Sequence, residues 1–182
     1  MSIKIDDRIS LETLDEMHAG PLYNLVNTHR AYLKEWLPWV DQMQTIENAE
    51  KYISECNRRE MDKTDFAYAI MFEKGMVGRI GLHYINYRNK IGEIGYWLAE
   101  GWQGRGIITK CCTALINHAF TVLNLNRIEI KCGTGNHKSQ AIAERLHFKL
   151  EGTLHQAELL QGKFIDLNLY SLLKADWAKP NP

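Results

Sequence analysis

The stretch "GYWLAEGWQGRGIITKCCTALI", Gly95 to Ile116, runs from an apolar, aromatic segment through Gln103, Gly104, Arg105 and Gly106 into a helical pattern, with no acidic residue after Glu100. A helix N-terminus leaves backbone N–H groups unpaired and carries the positive end of the helix dipole. Gly104, Gly106 and the N–H groups through Thr109 could therefore cradle a phosphate or pyrophosphate. The same glycines would equally serve a tight turn between strand and helix, so spacing alone leaves both readings open. The residues after Gly106 exclude two phosphate loops. A Walker loop needs Gly-Lys-Ser/Thr, and a dinucleotide fingerprint needs GxGxxG early in a βαβ unit, whereas the chain continues Ile107-Ile108-Thr109.

Other reactive side chains carry less. Cys132 closes an alternating strand on its apolar side and reads as a buried structural thiol, and Cys111 and Cys112 share the core face of a helix. With Cys56 they show no CxxC pairing, so reduced thiols in a cytoplasm are expected. The seven histidines lack HExxH or other ligand spacing, which disfavours a metal; His137 reads as solvated. In "WLPW", Trp36 and Trp39 bracket Pro38 and could belong to the core or form one wall of an acceptor groove.

Composition bounds the partners. The 182 residues suit one α/β domain, and 22 Lys plus Arg balance 22 Asp plus Glu, so no global charge excess favours nucleic acid. The N-terminus has no basic segment followed by an apolar run, and no stretch is long and apolar enough to span a bilayer, so neither targeting nor membrane insertion is expected.

The elements that must position these residues follow from periodicity. Leu22, Leu25, Val26, His29, Leu33 and Trp36 predict a first helix over residues 18 to 37, ended by Pro38. Thr45 caps a second through about Met61, with Ile46, Ala49, Ile53 and Cys56 on one face. "DFAYAIMF", a Lys74-Gly75 turn, "MVGRIGLHYI" and "IGEIGYWL" read as an antiparallel meander. A helix from Ile108 and the strand "RIEIKC" complete a strand, glycine loop, helix, strand crossover. A short helix over about Lys138 to Leu146 precedes two strands, "FKLEGTLHQAELL" with a break at Gly152 and "KFIDLNLYSLL", joined at Gln161-Gly162.

"GYWLAEGWQGRGIITKCCTALI", "NHKSQAIAERLHF" and "LEGTLHQAELLQGKFIDLNLYSLL", with "WLPW" near the front, resemble the GCN5-related N-acetyltransferase (GNAT) superfamily, in the RimJ/RimL branch that acetylates protein N-termini. The resemblance implies an α/β (α+β) single-domain fold over residues 1–182, with a mixed, largely antiparallel sheet flanked by helices, and acetyl-CoA as co-substrate. In that family Arg/Gln-x-x-Gly-x-Gly/Ala grips the pyrophosphate. Gln103 and Gly106 fall on its first two marks and Ile108 on the third, where a side chain turned into the core is compatible with a backbone grip but leaves less room. The resemblance thus implies cofactor contacts from Gln103, Gly104, Arg105, Gly106, Ile107, Ile108 and Thr109. It also implies contacts from Tyr96, Trp97 and Leu98 on a strand that splays from its neighbour, and from Asn136 and Ser139 at the start of the short helix. His147 stands where the family has glycine, so an altered cap is expected.

The tail further implies that Glu158 and Ser139 are the catalytic pair. Acetyl transfer needs a neutral amine, a polarised thioester carbonyl and a stabilised thiolate. An α-amino group has a pKa near 8, so a carboxylate base acting directly or through water suffices, and Glu158 takes that role. Ser139 would hydrogen-bond the leaving sulfur, and a strand N–H near Leu98 would stabilise the oxyanion. For Glu158 the alternative is an ordinary solvent-facing strand residue; for Ser139, a helix-start serine satisfying a backbone donor. The implied reaction is direct acetyl transfer in a ternary complex to a protein N-terminus, most specifically the N-terminal serine of a ribosomal protein, by a homodimer. The alternatives are a small amine acceptor (polyamine, antibiotic, amino acid) and a non-catalytic CoA-binding module.

Overall fold

The computed structural model describes residues 2–177. Alternating apolar side chains build eight strands: β1 (Ser2–Lys4), β2 (Ile9–Thr13), β3 (Phe66–Phe72), β4 (Gly75–Asn86), β5 (Ile91–Leu98), β6 (Arg127–Gly133), β7 (Lys149–Leu160) and β8 (Lys163–Leu173). They form one sheet in the order β1-β2-β3-β4-β5-β6-β8-β7. Every neighbouring pair is antiparallel except β5 and β6, which are parallel because helix α4 (Ile107–Thr121) crosses between them. The mixed, largely antiparallel sheet flanked by helices is the expected one.

The period of two divides β5 between the layers on the two faces of the sheet. Ile94 and Leu98 join the cluster beneath α4, with Cys111, Cys112, Leu115 and Ala119, and Tyr96 packs against it. Trp97 joins the opposite cluster with Leu22 and Val26 of α1 (Ala19–Thr28) and Ala49 and Ile53 of α3 (Ile46–Met61). Thr45 is the N-cap of α3, as its position predicts, and exchanges hydrogen bonds with Asn48 in a capping box.

The structure corrects two readings. The helix expected over residues 18 to 37 is broken: α1 stops at Thr28, His29 leaves helical geometry (φ −109°, ψ 21°), and α2 (Arg30–Lys34) restarts the chain. The run Asn27-Thr28-His29 favours helix weakly, and Arg30 gains from the break, donating to the carbonyls of Val40 (2.7 Å) and Met43 (2.5 Å). The N-terminal segment, to which no element was assigned, forms β1 and β2; Ile9 and Leu11 alternate into the core, a signal present in the sequence. At the end of α5 (His137–Arg145), His147 takes φ +61° and its neighbour Phe148 donates to Ala143, so the left-handed cap survives without glycine.

Candidate functional site

A wedge opens at the centre of the sheet. Strands β5 and β6 pair only over Ile91–Glu93 and Arg127–Glu129, although β5 remains paired to β4 as far as Leu98 and β6 to β8 as far as Gly133. Beyond Glu93 the β5 edge facing β6 has no strand partner among the described residues, leaving backbone donors and acceptors for a ligand. A cleft of about 1080 Å³ fills this opening.

The glycine loop closes one end. Gly104 and Gly106 both have φ +72°, and a Cβ on either would meet no atom within 4 Å, so glycine is needed here for backbone conformation and leaves the space above it open. Gly106 is the N-cap of α4 in a left-handed conformation with no side-chain cap, so the first-turn N–H groups have no capping side chain. Ile108 is buried in the core while also bordering the cleft. Its side chain is turned inward, as a backbone grip requires.

Of the residues singled out, Tyr96, Trp97, Leu98, Gln103, Gly104, Gly106, Ile108, Thr109, Asn136, Ser139 and Glu158 border this cleft. Arg105 and Ile107 do not. The Arg105 guanidinium lies 4.8 Å over the Trp102 ring and donates to the Gly101 carbonyl, and the Ile107 side chain is in the core.

Asn136 caps α5 by accepting the Ser139 N–H (3.1 Å), which frees the Ser139 hydroxyl from capping. That hydroxyl lies 2.9 Å from the Tyr96 hydroxyl, and the Tyr96 hydroxyl also reaches the Ser139 carbonyl at 3.2 Å. Tyr96 has one proton; when it goes to the carbonyl, Ser139 donates to the phenol oxygen. Burial holds Tyr96 well above the ordinary tyrosine range, so it stays protonated. Cys132, also bordering the cleft, is pushed up to about 11 by burial against a smaller opposing effect of its hydrogen bond with Ser139, and remains a thiol.

Glu158 of β7 also borders the cleft, half-buried; burial, and secondarily the negative charge of Glu93, raise its carboxyl above the ordinary carboxylate value. Glu93 itself is paired with Lys131 at 2.8 Å. Trp36 lies against Gly133 and Gly135, whereas Trp39 stacks on Tyr52 and meets Trp97, with ring centroids 6.4 Å and 6.0 Å away. Trp36 thus lines the cleft wall. Trp39 also borders the cleft but is tied into the core beneath it.

Several cleft residues escaped the sequence reading. Gln103 donates to the Tyr32 hydroxyl and accepts from Lys138 (2.8 Å), and Arg145 donates to Thr109 (3.3 Å). Lys138 and Arg145 are seven residues apart, hence on one face of α5, and that spacing could have marked them. Tyr32 could not have been found this way, since its partner is distant in sequence. Among the described residues no group of three or more His, Cys, Asp or Glu could hold a metal ion.

A wedge between parallel strands, ending at a glycine-capped helix start, is the arrangement the family resemblance implies, and comparison with known proteins decides the matter. The acetyltransferase (GNAT) domain family matches residues 8–149. The chain belongs to the GNAT family. It is accordingly an acyltransferase that takes its acetyl group from acetyl-CoA. It is 36% identical over 174 residues to the ribosomal-protein-serine acetyltransferase of Escherichia coli (strain K12), covering 93% of this chain and 95% of that one. Among solved structures it resembles RimL, a ribosomal L7/L12 α-N-protein acetyltransferase in complex with coenzyme A (TM-score 0.93, 32% identity, 97% and 99% of the two chains). It also resembles the microcin C7 self-immunity acetyltransferase MccE in complex with acetyl-CoA and AMP (TM-score 0.90, 31% identity, 94% and 95%).

Proposed function

We propose that this GNAT enzyme acetylates the N-terminal amine of a protein, the N-terminal serine of a ribosomal protein being the favoured acceptor. The observation that carries the reading is the cleft itself: wide, open along the unpaired β5 edge, with Ser139 towards the glycine loop and the half-buried Glu158 on the opposite strand hairpin. A chain terminus fits such an opening, and the E. coli relative named for that activity covers nearly the whole chain.

Acetyl-CoA supplies an activated thioester. The first-turn N–H groups of α4 and the backbone of Gly104 to Thr109 hold the pyrophosphate, and the free edge of β5 receives the pantetheine amides. A β5 N–H near Leu98 stabilises charge developing on the acetyl oxygen. Glu158 accepts the proton that the ammonium must lose, directly or through a water, and its raised pKa strengthens it as a base. For this step Tyr96 turns its proton from the Ser139 carbonyl to the Ser139 hydroxyl, which then donates its own proton to the departing sulfur.

As pH falls through the raised pKa of Glu158, the carboxylate protonates and turnover drops. Glu158→Gln is expected to lower kcat by about two orders of magnitude at neutral pH, abolish that acid limb, and leave the Kd for CoA within about twofold. Steady-state kinetics across pH with calorimetric CoA titration checks this; wild-type kcat in the variant refutes the base.

A second reading, a small amine carried on an aromatic group, is favoured by the Trp36 wall and by the solved relative that holds AMP. A mass-spectrometric acceptor screen decides between them by comparing peptides with different N-terminal residues with spermidine and an aminoacyl adenylate analogue. Preferred acetylation of the serine peptide supports the first reading. The same proposal has residues 1–182 acting as one cytoplasmic domain that pairs as a homodimer; light scattering at twice 21.1 kDa would support the pairing.

A further inference from the structure

The register of the β7–β8 hairpin is interrupted where Glu158 is delivered. Leu154 pairs with Leu167 and Glu158 with Ile165, so β7 advances four residues while β8 advances two. In an uninterrupted ladder Gln156 would stand opposite Ile165; the two extra residues put Glu158 there instead, beside Ile165 and Leu167 in the cleft.

The bulge has a specific lock. Gln156 takes φ +50°, a conformation that costs an ordinary L-residue about 1 kcal/mol or more and needs external support. One side chain supplies that support from the partner strand. Asp166 accepts the Gln156 N–H through Oδ1 at 2.8 Å, and its Oδ2 lies 3.1 Å from Nδ1 of His155. Its backbone carbonyl accepts the Thr134 N–H at 3.1 Å, fixing Asp166 to the loop after β6 that leads to Asn136 and α5. One residue thus joins the base-bearing strand to the loop that presents Ser139.

We propose that Asp166 is a positioning residue: by clamping the His155–Gln156 bulge it sets the register that aims the Glu158 carboxylate into the acceptor cleft. This rests on Glu158 acting as the base. Asp166 does not touch the reacting atoms. It acts through the backbone of residues 155 and 156, and a displacement of order 1 Å at a base is enough to cost turnover heavily.

The test is a double-mutant cycle with a conservative rescue. Asp166→Ala is expected to lower kcat about tenfold, with KM for acetyl-CoA within about twofold, because the glycine loop is untouched. In a Glu158→Gln background the same change should lower kcat less than about twofold, since no base remains to misplace. Asp166→Asn keeps a carbonyl oxygen for the Gln156 N–H and should recover kcat to within about threefold of wild type. Gln156→Gly takes the φ +50° conformation without strain, so the Asp166→Ala/Gln156→Gly double variant should recover kcat to within about threefold of wild type. If Asp166→Ala is too unstable to assay, Asp166→Asn and the Asp166→Ala/Gln156→Gly double variant decide alone, and kcat below a tenth of wild type in both overturns the proposal. A tenfold loss that persists in Glu158→Gln, or wild-type kcat in Asp166→Ala, also overturns it and leaves Glu158 as base intact. Wild-type kcat in Glu158→Gln overturns both.

Discussion

At the residue scale, Gly106 shows how one backbone conformation serves the cofactor. Its φ of +72° is strained for any L side chain, although a Cβ would find open space. Gly106→Ala is therefore expected to cost about 1 kcal/mol of stability through conformation alone. It should weaken CoA binding several-fold, because relaxing the strain turns the first N–H groups of α4 away. Urea melts and CoA calorimetry measure the two effects separately. The glycines were legible in the sequence because each acts within a few residues of itself, whereas Gln103 and Asn136 entered through the family resemblance, and the Asn136 cap appears only in the structure. His147 shows the limit of that reading: an altered cap was expected, yet Phe148 is buried and His147 accepts φ +61°. Burial of the next side chain outweighs the modest cost of a left-handed histidine.

At the element scale, the C-terminal hairpin is attached to the rest of the sheet by charge as well as by ladder bonds. Arg127 of β6 places both terminal nitrogens on Glu151 of β7 (2.6 Å each) across β8, and its Nε on Glu129 (2.7 Å), while Ser171 of β8 donates to Glu151 at 2.6 Å. The Arg127 guanidinium, with help from Ser171, holds the Glu151 carboxyl down at about 2. A depressed folded pKa gives stability that is present above the unfolded value near 4.5 and is lost as pH falls towards 2. The Glu151 side chain is 42% exposed, so solvent screening limits the effect to about 1 kcal/mol. Denaturant melts between pH 5 and pH 2.5 should show this slope in the wild type and lose it in Arg127→Met. The two strands were read correctly from their alternation and the Gln161-Gly162 turn. The insertion of β8 between β6 and β7 was not, because pairing order is set by contacts between segments and leaves no periodic trace.

At the scale of the whole molecule, a buried polar cluster joins the sheet to its α3 layer. His83 of β4 is 2.6 Å from Asp65 through Nδ1 and 3.0 Å from Arg79 Nη1 through Nε2. The Arg79 guanidinium can only donate, so Nε2 must keep its lone pair and His83 is neutral, its proton on Nδ1 and directed at Asp65. Burial, reinforced by Arg79 and opposed by Asp65, lowers His83 to about 4. Because the unfolded chain protonates near 6.5 and the folded one does not, stability should fall as pH drops from 6.5 to about 4 and then level off in this contribution. The full effect is of order 3 kcal/mol. Urea melts at pH 7, 5 and 4 check it, and His83→Asn should flatten this limb while leaving the Glu151 limb below it.

The sequence by itself determined what local rules can determine: the alternating strands, the capped α3, the strand, glycine loop, helix, strand crossover, and through these the glycine-led start of α4. Each depends on side-chain period, capping or φ preference over a few residues. It failed even locally where tertiary contacts override propensity, as at His29, where the hold of Arg30 on Val40 and Met43 outweighs helix continuation. Only the tertiary structure decided the cleft. The divergence of β5 from β6 after Glu93, the placement of Glu158 opposite Ile165, and the partners that Tyr32, Lys138 and Trp36 find all depend on register between distant strands and helices. Register is fixed by long-range pairing, and shifting it moves a side chain from solvent to cleft with no change in the local pattern.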